Sequence, residues 1–271
     1  MIDAQSAIGT HDILFVTLDT LRYDVACEAM AAGETPALAA LVPGGQWERR
    51  HSPASFTYAA HRAFFAGFLP TPIEPGPHER LFAMRFPGSL TTGSKTAVFD
   101  APDIVTGLAE LGYRTICIGG VGFFNKQTPL GSALPSLFAE SYWNPRLGVT
   151  FYHSTREQVR LALKRAEAVP ADRRAFLFIN ISALHHPNCI YVPGAKADSH
   201  ATQRAALAYV DAELASLFSG LRRRGPWLCI LCSDHGTAYG EDGYRGHRLA
   251  HPCVWDVPYA EFILPREQET A

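Results

Sequence analysis

An α/β fold with a mostly parallel central sheet, covered by helices on both faces, is predicted by two features of the sequence. Short, continuous, apolar runs recur at Ile13 to Leu18, Tyr113 to Ile118, Ala175 to Ile181 and Pro226 to Cys232. Such runs suit strands buried on both faces. Segments of helical periodicity lie between them, the order of a parallel sheet with crossover helices. A length of 271 residues suits one large domain over 1–271, although length alone leaves two small ones open. Either way the chain buries a substantial core without disulfides.

The elements follow in order. Ile13 to Leu18 is the first strand, and Thr20 to Ala32 reads as a helix closed by Gly33. Thr35-Pro36 opens a short helix with proline at its first position. Gln46 to His51 reads as a short strand and Thr57 to Phe68 as a helix. Pro70 to Pro87 holds five prolines and reads as loop. Lys95 to Phe99, Pro102 to Leu111 and Tyr113 to Ile118 form a strand, helix and strand. Gly119 to Thr150, rich in glycine, proline and aromatics, reads as irregular. Phe123, Phe124, Tyr142 and Trp143 there are available for stacking on a ligand or for packing. A helix over Thr155 to Ala168 precedes the strand Ala175 to Ile181. The long helix His200 to Arg224 places Leu207, Val210, Leu214 and Leu217 on one face. Strands at Pro226 to Cys232 and Pro258 to Leu264 complete the fold.

The net charge of −2 gives no reason to expect nucleic acid or a membrane as partner. Met1 to His11 lacks a basic region followed by an apolar stretch, and no apolar run approaches the ~20 residues that span a bilayer. A cytoplasmic setting is therefore expected, with the six cysteines reduced. Cys229 and Cys232 lie three apart on a strand and face opposite ways, so a shared zinc or redox pair is not expected.

In a parallel sheet, ligands bind beyond the carboxyl ends of the strands. Asp19, Asp234 and His235 all sit at such ends, and His185 follows another. Asp19 alone has a second reading as a helix cap. Asp234-His235-Gly236 also reads as a polar turn; as ligands, oxygen plus imidazole suit Zn²⁺ or Mn²⁺ better than Ca²⁺. Thr57 at a helix start is either a cap or a hydroxyl nucleophile, because a helix N-terminus favours an anion and a metal lowers a hydroxyl pKa. Together these residues outline a metal-dependent esterase acting on phosphate-like esters.

With these motifs in place, the chain resembles the alkaline phosphatase superfamily, on its sulfatase-like and phosphoethanolamine-transferase-like side. The sulfatase nucleophile motif has glycine ten residues after the nucleophile, and Gly67 lies ten after Thr57. An apolar strand, Asp and Leu-Arg match Ile13 to Arg22, and Ser-Asp-His-Gly matches Ser233 to Gly236. The next basic position falls on His247 and a His-x-Pro on His185-His186-Pro187, so the resemblance spans about 12 to 264. It implies the fold of that superfamily in a minimal form, without the C-terminal subdomain of sulfatases.

The resemblance also implies roles. Asp19, Thr57, Asp234 and His235 correspond to the single-metal site of headgroup transferases, with zinc or manganese expected and magnesium admitted. Thr57 is then the nucleophile, and His185 and His247 bind phosphoryl oxygens or protonate the leaving group. His186 and His251 are the weaker candidates. Substrate contacts are expected from His61, which replaces the arginine of the sulfatase motif, and from Arg62. The sulfatase Gly-Lys-Trp-His stretch falls on Gly119-Gly120-Val121-Gly122, without either basic residue, and Asn125 or Lys126 is the expected substitute. Threonine cannot become formylglycine, so sulfatase activity is not expected. The second zinc site of nucleotide pyrophosphatases lacks its acid, because Ile181 and Ser182 stand four before His185 and His186.

The expected activity is a phosphohydrolase or phosphotransferase that passes through a phospho-threonine and takes a small phosphate-containing substrate. A phosphodiesterase or phosphonate hydrolase, with one metal or two, is the alternative within the fold. A non-catalytic protein that binds a metabolite or a partner is the alternative outside enzymology.

Overall fold

The computed structural model describes residues 2–67, 69–76, 78–85 and 92–267. Its strands are β1 (Asp12–Leu18), β2 (Glu48–His51), β3 (Thr71–Pro72), β4 (Phe82–Met84), β5 (Ala97–Phe99), β6 (Arg114–Ile118), β7 (Glu140–Tyr142), β8 (Ala175–Ile181), β9 (Trp227–Cys232), β10 (Ala238–Tyr239), β11 (Arg245–Gly246) and β12 (Asp256–Leu264). The main sheet is eight-stranded, in the order β3-β2-β12-β9-β1-β8-β6-β7. From β7 to β9 every neighbouring pair is parallel, whereas β12, β2 and β3 add antiparallel to that edge. The mostly parallel α/β sheet expected from the sequence is therefore the one present.

Alternation along β1 feeds two cores. Leu14, Val16 and Leu18 enter one, against the helices Tyr23–Ala31, Ser154–Glu167 and His200–Arg222. Ile13 and Phe15 enter the other, against the helices Thr57–Phe65 and Ile104–Glu110. Every residue of β1, β8 and β9 is buried, which explains why each strand reads as an apolar run, interrupted only by Asp12, Thr17 and Asn180. Cys229 joins the first core and Cys232 the second, as strand alternation requires, and all six cysteines are free.

Some expectations need correction. The helix expected from Thr20 begins at Tyr23, because Thr20 takes φ = 70° in the left-handed region and cannot start a right-handed turn. β5 does not join the main sheet; it pairs with β4 in a separate two-stranded sheet, inside a stretch expected to be loop. β7 was likewise expected to be irregular, yet it forms the far edge of the main sheet. The helix Thr57–Phe65 is followed by Gly67, whose φ of 86° provides the left-handed residue that ends a helix. A Cβ at Gly67 would stand 3.1 Å from Ala83 Cα, so glycine also allows the close approach of that backbone. Phe68, the expected end of this helix, lies outside the described residues, as do Pro77, Phe86 and Pro87 of the expected loop. Among the described residues no helix is long and apolar enough to cross a membrane.

Candidate active site

The parallel neighbours β1 and β9 end side by side, so the residues that follow them meet. Asp19, Asp234 and His235 form a fully buried group whose potential ligand atoms all lie within 4.8 Å of one another. The hydroxyl of Thr57 is 3.3 Å from His235 Nε2. Thr57 is the first residue of its helix and is buried, and its hydroxyl bonds His235, so it is spent neither on the helix nor on bulk water. Asp19 is no helix cap either. Its Oδ1 accepts from the Thr20 hydroxyl at 2.8 Å and its Oδ2 from Asn180 Nδ2 at 2.9 Å.

The bonds around the group fix its chemistry. Asp234 Oδ1 accepts the backbone N–H of Thr20 at 3.1 Å and of His235 at 3.0 Å, whereas Oδ2 is buried without a hydrogen-bond partner. Nδ1 of His235 lies 2.8 Å from the Gly236 carbonyl, which can only accept, so the proton sits on Nδ1 and the Nε2 lone pair faces Thr57. An orphaned carboxylate oxygen, a second buried carboxylate and an imidazole lone pair make a donor set suited to a divalent cation of the zinc type. The backbone carbonyl behind His235 is the kind of outer partner that orients a ligating imidazole.

Electrostatics point the same way. Burial, then the charge of Asp19, push the Asp234 carboxyl well above the usual range. Burial also opposes ionisation of Asp19, but His185, His235 and the Asn180 amide outweigh it. Two adjacent carboxyls in a dry site resist ionising together unless a cation joins them.

Thr20 holds the turn between the two strand ends. Its left-handed backbone is strained by about 1–3 kcal/mol. Three bonds pin it: the N–H to Asp234, the hydroxyl to Asp19, and the carbonyl accepting from Gln203 Nε2 at 2.9 Å. Gly236 turns the chain on the other side, where a Cβ would fall 2.1 Å from the Cys253 carbonyl oxygen. Close approach, not a special φ, demands glycine there.

The histidines gather at this end of the sheet. The ring of His247 stacks 4.5 Å from that of His235, and 5.7 Å from that of His186. His185 lies 6.3 Å from His247. Burial, then the neighbouring His235, His185 and His186, depress His247 to about 3, and its Nδ1 is buried without a partner. Burial among other imidazoles thus favours the neutral, hydrogen-bonding form of His247 over the protonated one. His251 points elsewhere, to Cys253 and Asp242.

The expected substrate contacts are placed differently. His61 is fully buried, with Nδ1 2.7 Å from the Thr57 carbonyl and Nε2 3.0 Å from the Thr17 hydroxyl. It stands one helical turn after Thr57 and packs among Phe64, Phe124 and Phe178, with Nδ1 3.8 Å from Asp234 Oδ2, so it supports the nucleophile's helix from beside the buried group. Arg62 is exposed on the same helix. Asn125 Oδ1 accepts from the Gln127 N–H, and Lys126 Nζ donates to the Ser141 carbonyl on β7. No hydrogen bond or ion pair joins Arg62, Asn125 or Lys126 to the buried group. Gly120 leaves no room for a basic side chain in that loop, since a Cβ would meet the Asn180 carbonyl at 2.3 Å.

Sequence reasoning passed over Asn180. It bonds Asp19, Thr17 and the Val121 N–H at once, and the signal was a lone amide inside the apolar run of β8. Asn180→Ala is expected to weaken cation binding by about 10–100-fold, the usual cost of losing an outer partner, as read by competition with a chromogenic chelator.

A family profile described as sulfatase matches residues 11–260. A sequence comparison with curated proteins returns no match. Among solved structures, the chain is similar to the C-terminal periplasmic domain of a phosphoethanolamine transferase from Campylobacter jejuni, with 14% identity, TM-score 0.62, and coverage of 97% of this chain and 83% of that one. The corresponding domain from Escherichia coli, in complex with zinc, gives 12% identity and TM-score 0.63 over 96% of this chain and 74% of that one. A protein in the alkaline phosphatase superfamily from Vibrio parahaemolyticus gives 16% and 0.54 over 94% and 60%. At these identities the likeness concerns the fold. With the family profile spanning nearly the whole chain, the protein belongs to the sulfatase family.

Proposed function

We propose that this protein is a divalent-metal-dependent enzyme acting on phosphoric esters, as hydrolase or phosphotransferase, with Thr57 as nucleophile. The observation that carries the reading is the buried Thr57 hydroxyl, whose one hydrogen bond, at 3.3 Å, is to His235 Nε2 at the edge of the Asp19–Asp234–His235 group. Those three residues would hold the cation, zinc or manganese, with the Thr57 hydroxyl beside them. The cation would neutralise the paired carboxylates, polarise the phosphoryl group and make the hydroxyl easier to deprotonate.

In the first step Thr57 Oγ1 loses its proton to water and forms a bond to phosphorus while the bond to the leaving group breaks, giving phospho-threonine and an alkoxide that takes a proton from water. In the second, water or an acceptor alcohol attacks that phosphorus and Thr57 is released. Neutral His247, whose Nδ1 lacks a partner, binds a phosphoryl oxygen, and His185 serves beside it. His61 keeps the helix of Thr57 in place from below. A small substrate and a cytoplasmic setting are parts of this proposal; the similar structures are named as periplasmic domains.

The test is a panel of a chromogenic phosphomonoester, a phosphodiester, a phosphonate monoester and a sulfate ester, assayed after chelation and after reloading with Zn²⁺, Mn²⁺ or Mg²⁺. Restored turnover of a phosphorus ester, with the sulfate ester inert, is expected. Turnover indifferent to chelation would refute the reading, and preference for the sulfate ester would replace it.

A further inference from the structure

We infer that Arg248, set over an aromatic shelf beside Thr57, selects phosphate monoesters whose non-reacting part carries an anionic group. The inference rests on the phosphoester reading above and adds the character of the substrate.

Phe56 and Tyr58 flank Thr57 in sequence, and their rings lie 6.4 and 5.7 Å from that of Phe123. All three are only partly buried, so they form a shelf next to the nucleophile. The Arg248 guanidinium sits 5.4 Å over the Phe56 ring. Its backbone N–H donates to the Ser55 carbonyl at 2.9 Å, and its φ is 68°. The loop is therefore fastened to the segment carrying Thr57, in a conformation that a non-glycine residue adopts only under constraint. The preceding residue is His247, which stacks on His235. Arg248 is thus tied to both halves of the site.

That charge has no acidic partner. None of the ion pairs of the described residues includes Arg248, and the acids of nearby loops are engaged elsewhere. Glu241 pairs with Arg22 and His200, Asp242 with His251, and Asp198 with His186. A guanidinium stacked on an aromatic face keeps its N–H groups free for an oxyanion. The same stacking covers the Phe56 face that an ammonium would otherwise use. A cationic tail, such as the ethanolamine in the names of the similar transferases, would meet Arg248 instead.

The test uses zinc-loaded Thr57→Ala protein, which cannot turn over, titrated calorimetrically at low salt. Three phosphate monoesters of similar size are compared: phosphoglycolate (anionic tail), ethylene glycol phosphate (neutral) and phosphoethanolamine (cationic). Phosphoglycolate is expected to bind at least about tenfold more tightly than phosphoethanolamine, with the gap narrowing as salt is added. Adding Arg248→Ala should abolish the gap, Arg248→Glu should reverse it and Arg248→Lys should keep most of it, while the neutral ester changes little. Equal binding of the three esters, or a gap that survives Arg248→Ala, overturns the role of Arg248 and leaves the phosphoester reading standing. Failure of all three to bind overturns both.

Discussion

Thr57→Ala is expected to lower turnover of the preferred phosphoric ester by about 10⁶-fold, the scale seen when a covalent nucleophile is removed, while the fold and the capacity to bind a cation are retained. The loss is this large because nothing else in the buried group can attack phosphorus. Asp19, Asp234 and His235 are all turned toward one point, and His61 is closed in beneath the helix. The fold survives because the Thr57 side chain caps no helix, and its one hydrogen bond is to His235. Steady-state assays at saturating metal measure the loss. Rapid quenching followed by intact-mass analysis should find one added phosphoryl group on the wild type and none on the variant. A variant that keeps a tenth of the activity, or a phosphoryl group on another residue, would remove Thr57 from the centre of the mechanism.

The second large effect concerns stability. Asp234 is buried with one oxygen unpartnered, and burial together with Asp19 raises its carboxyl well above the usual range. A carboxyl raised in the folded state favours folding only while protonated. Metal-free protein therefore loses stability as pH rises from the ordinary carboxylate range through the raised value. Asp234→Asn removes the charge and keeps an oxygen for the N–H groups of Thr20 and His235. At neutral pH the metal-free variant should unfold at a higher temperature than the metal-free wild type. Zinc reverses the order: at roughly a thousandfold excess over its dissociation constant it adds about 4 kcal/mol to the wild type and almost nothing to the variant. Differential scanning calorimetry with and without zinc checks both halves. A wild type whose melting ignores zinc, manganese and magnesium alike would dismiss the metal centre.

How far the sequence could be read depended on how local each feature is. β1, β8 and β9 were plain because both faces of each are buried and the apolar run records that directly. β4, β5 and β7 are three residues long and only partly buried in places, so they leave little pattern. The start of the helix after β1 is not legible in the sequence, because the left-handed backbone of Thr20 is imposed by Asp234 and Gln203, far away in the chain. The grouping of Asp19, Asp234 and His235 is legible because strand ends converge, whereas the burial of His61 is not. Its place in the motif suggested a ligand contact, but its place on the helix, one turn past Thr57, turns it into the core. Arg248 gave no local sign, since its meaning comes from Ser55 and Phe56, nearly two hundred positions earlier.

The turn at Thr20 also bears on the order of assembly. Its two long-range locks come from residues 183 and 214 positions away, Gln203 and Asp234. Until that distal part of the chain has docked, only the bond to neighbouring Asp19 compensates the left-handed conformation, and closing so long a loop is slow. The site is thus a late product of folding and cannot act as its seed. A growing chain on the ribosome, with β1 already emerged but β9 still to come, presents Asp19 without its companions and has no means of capturing a cation.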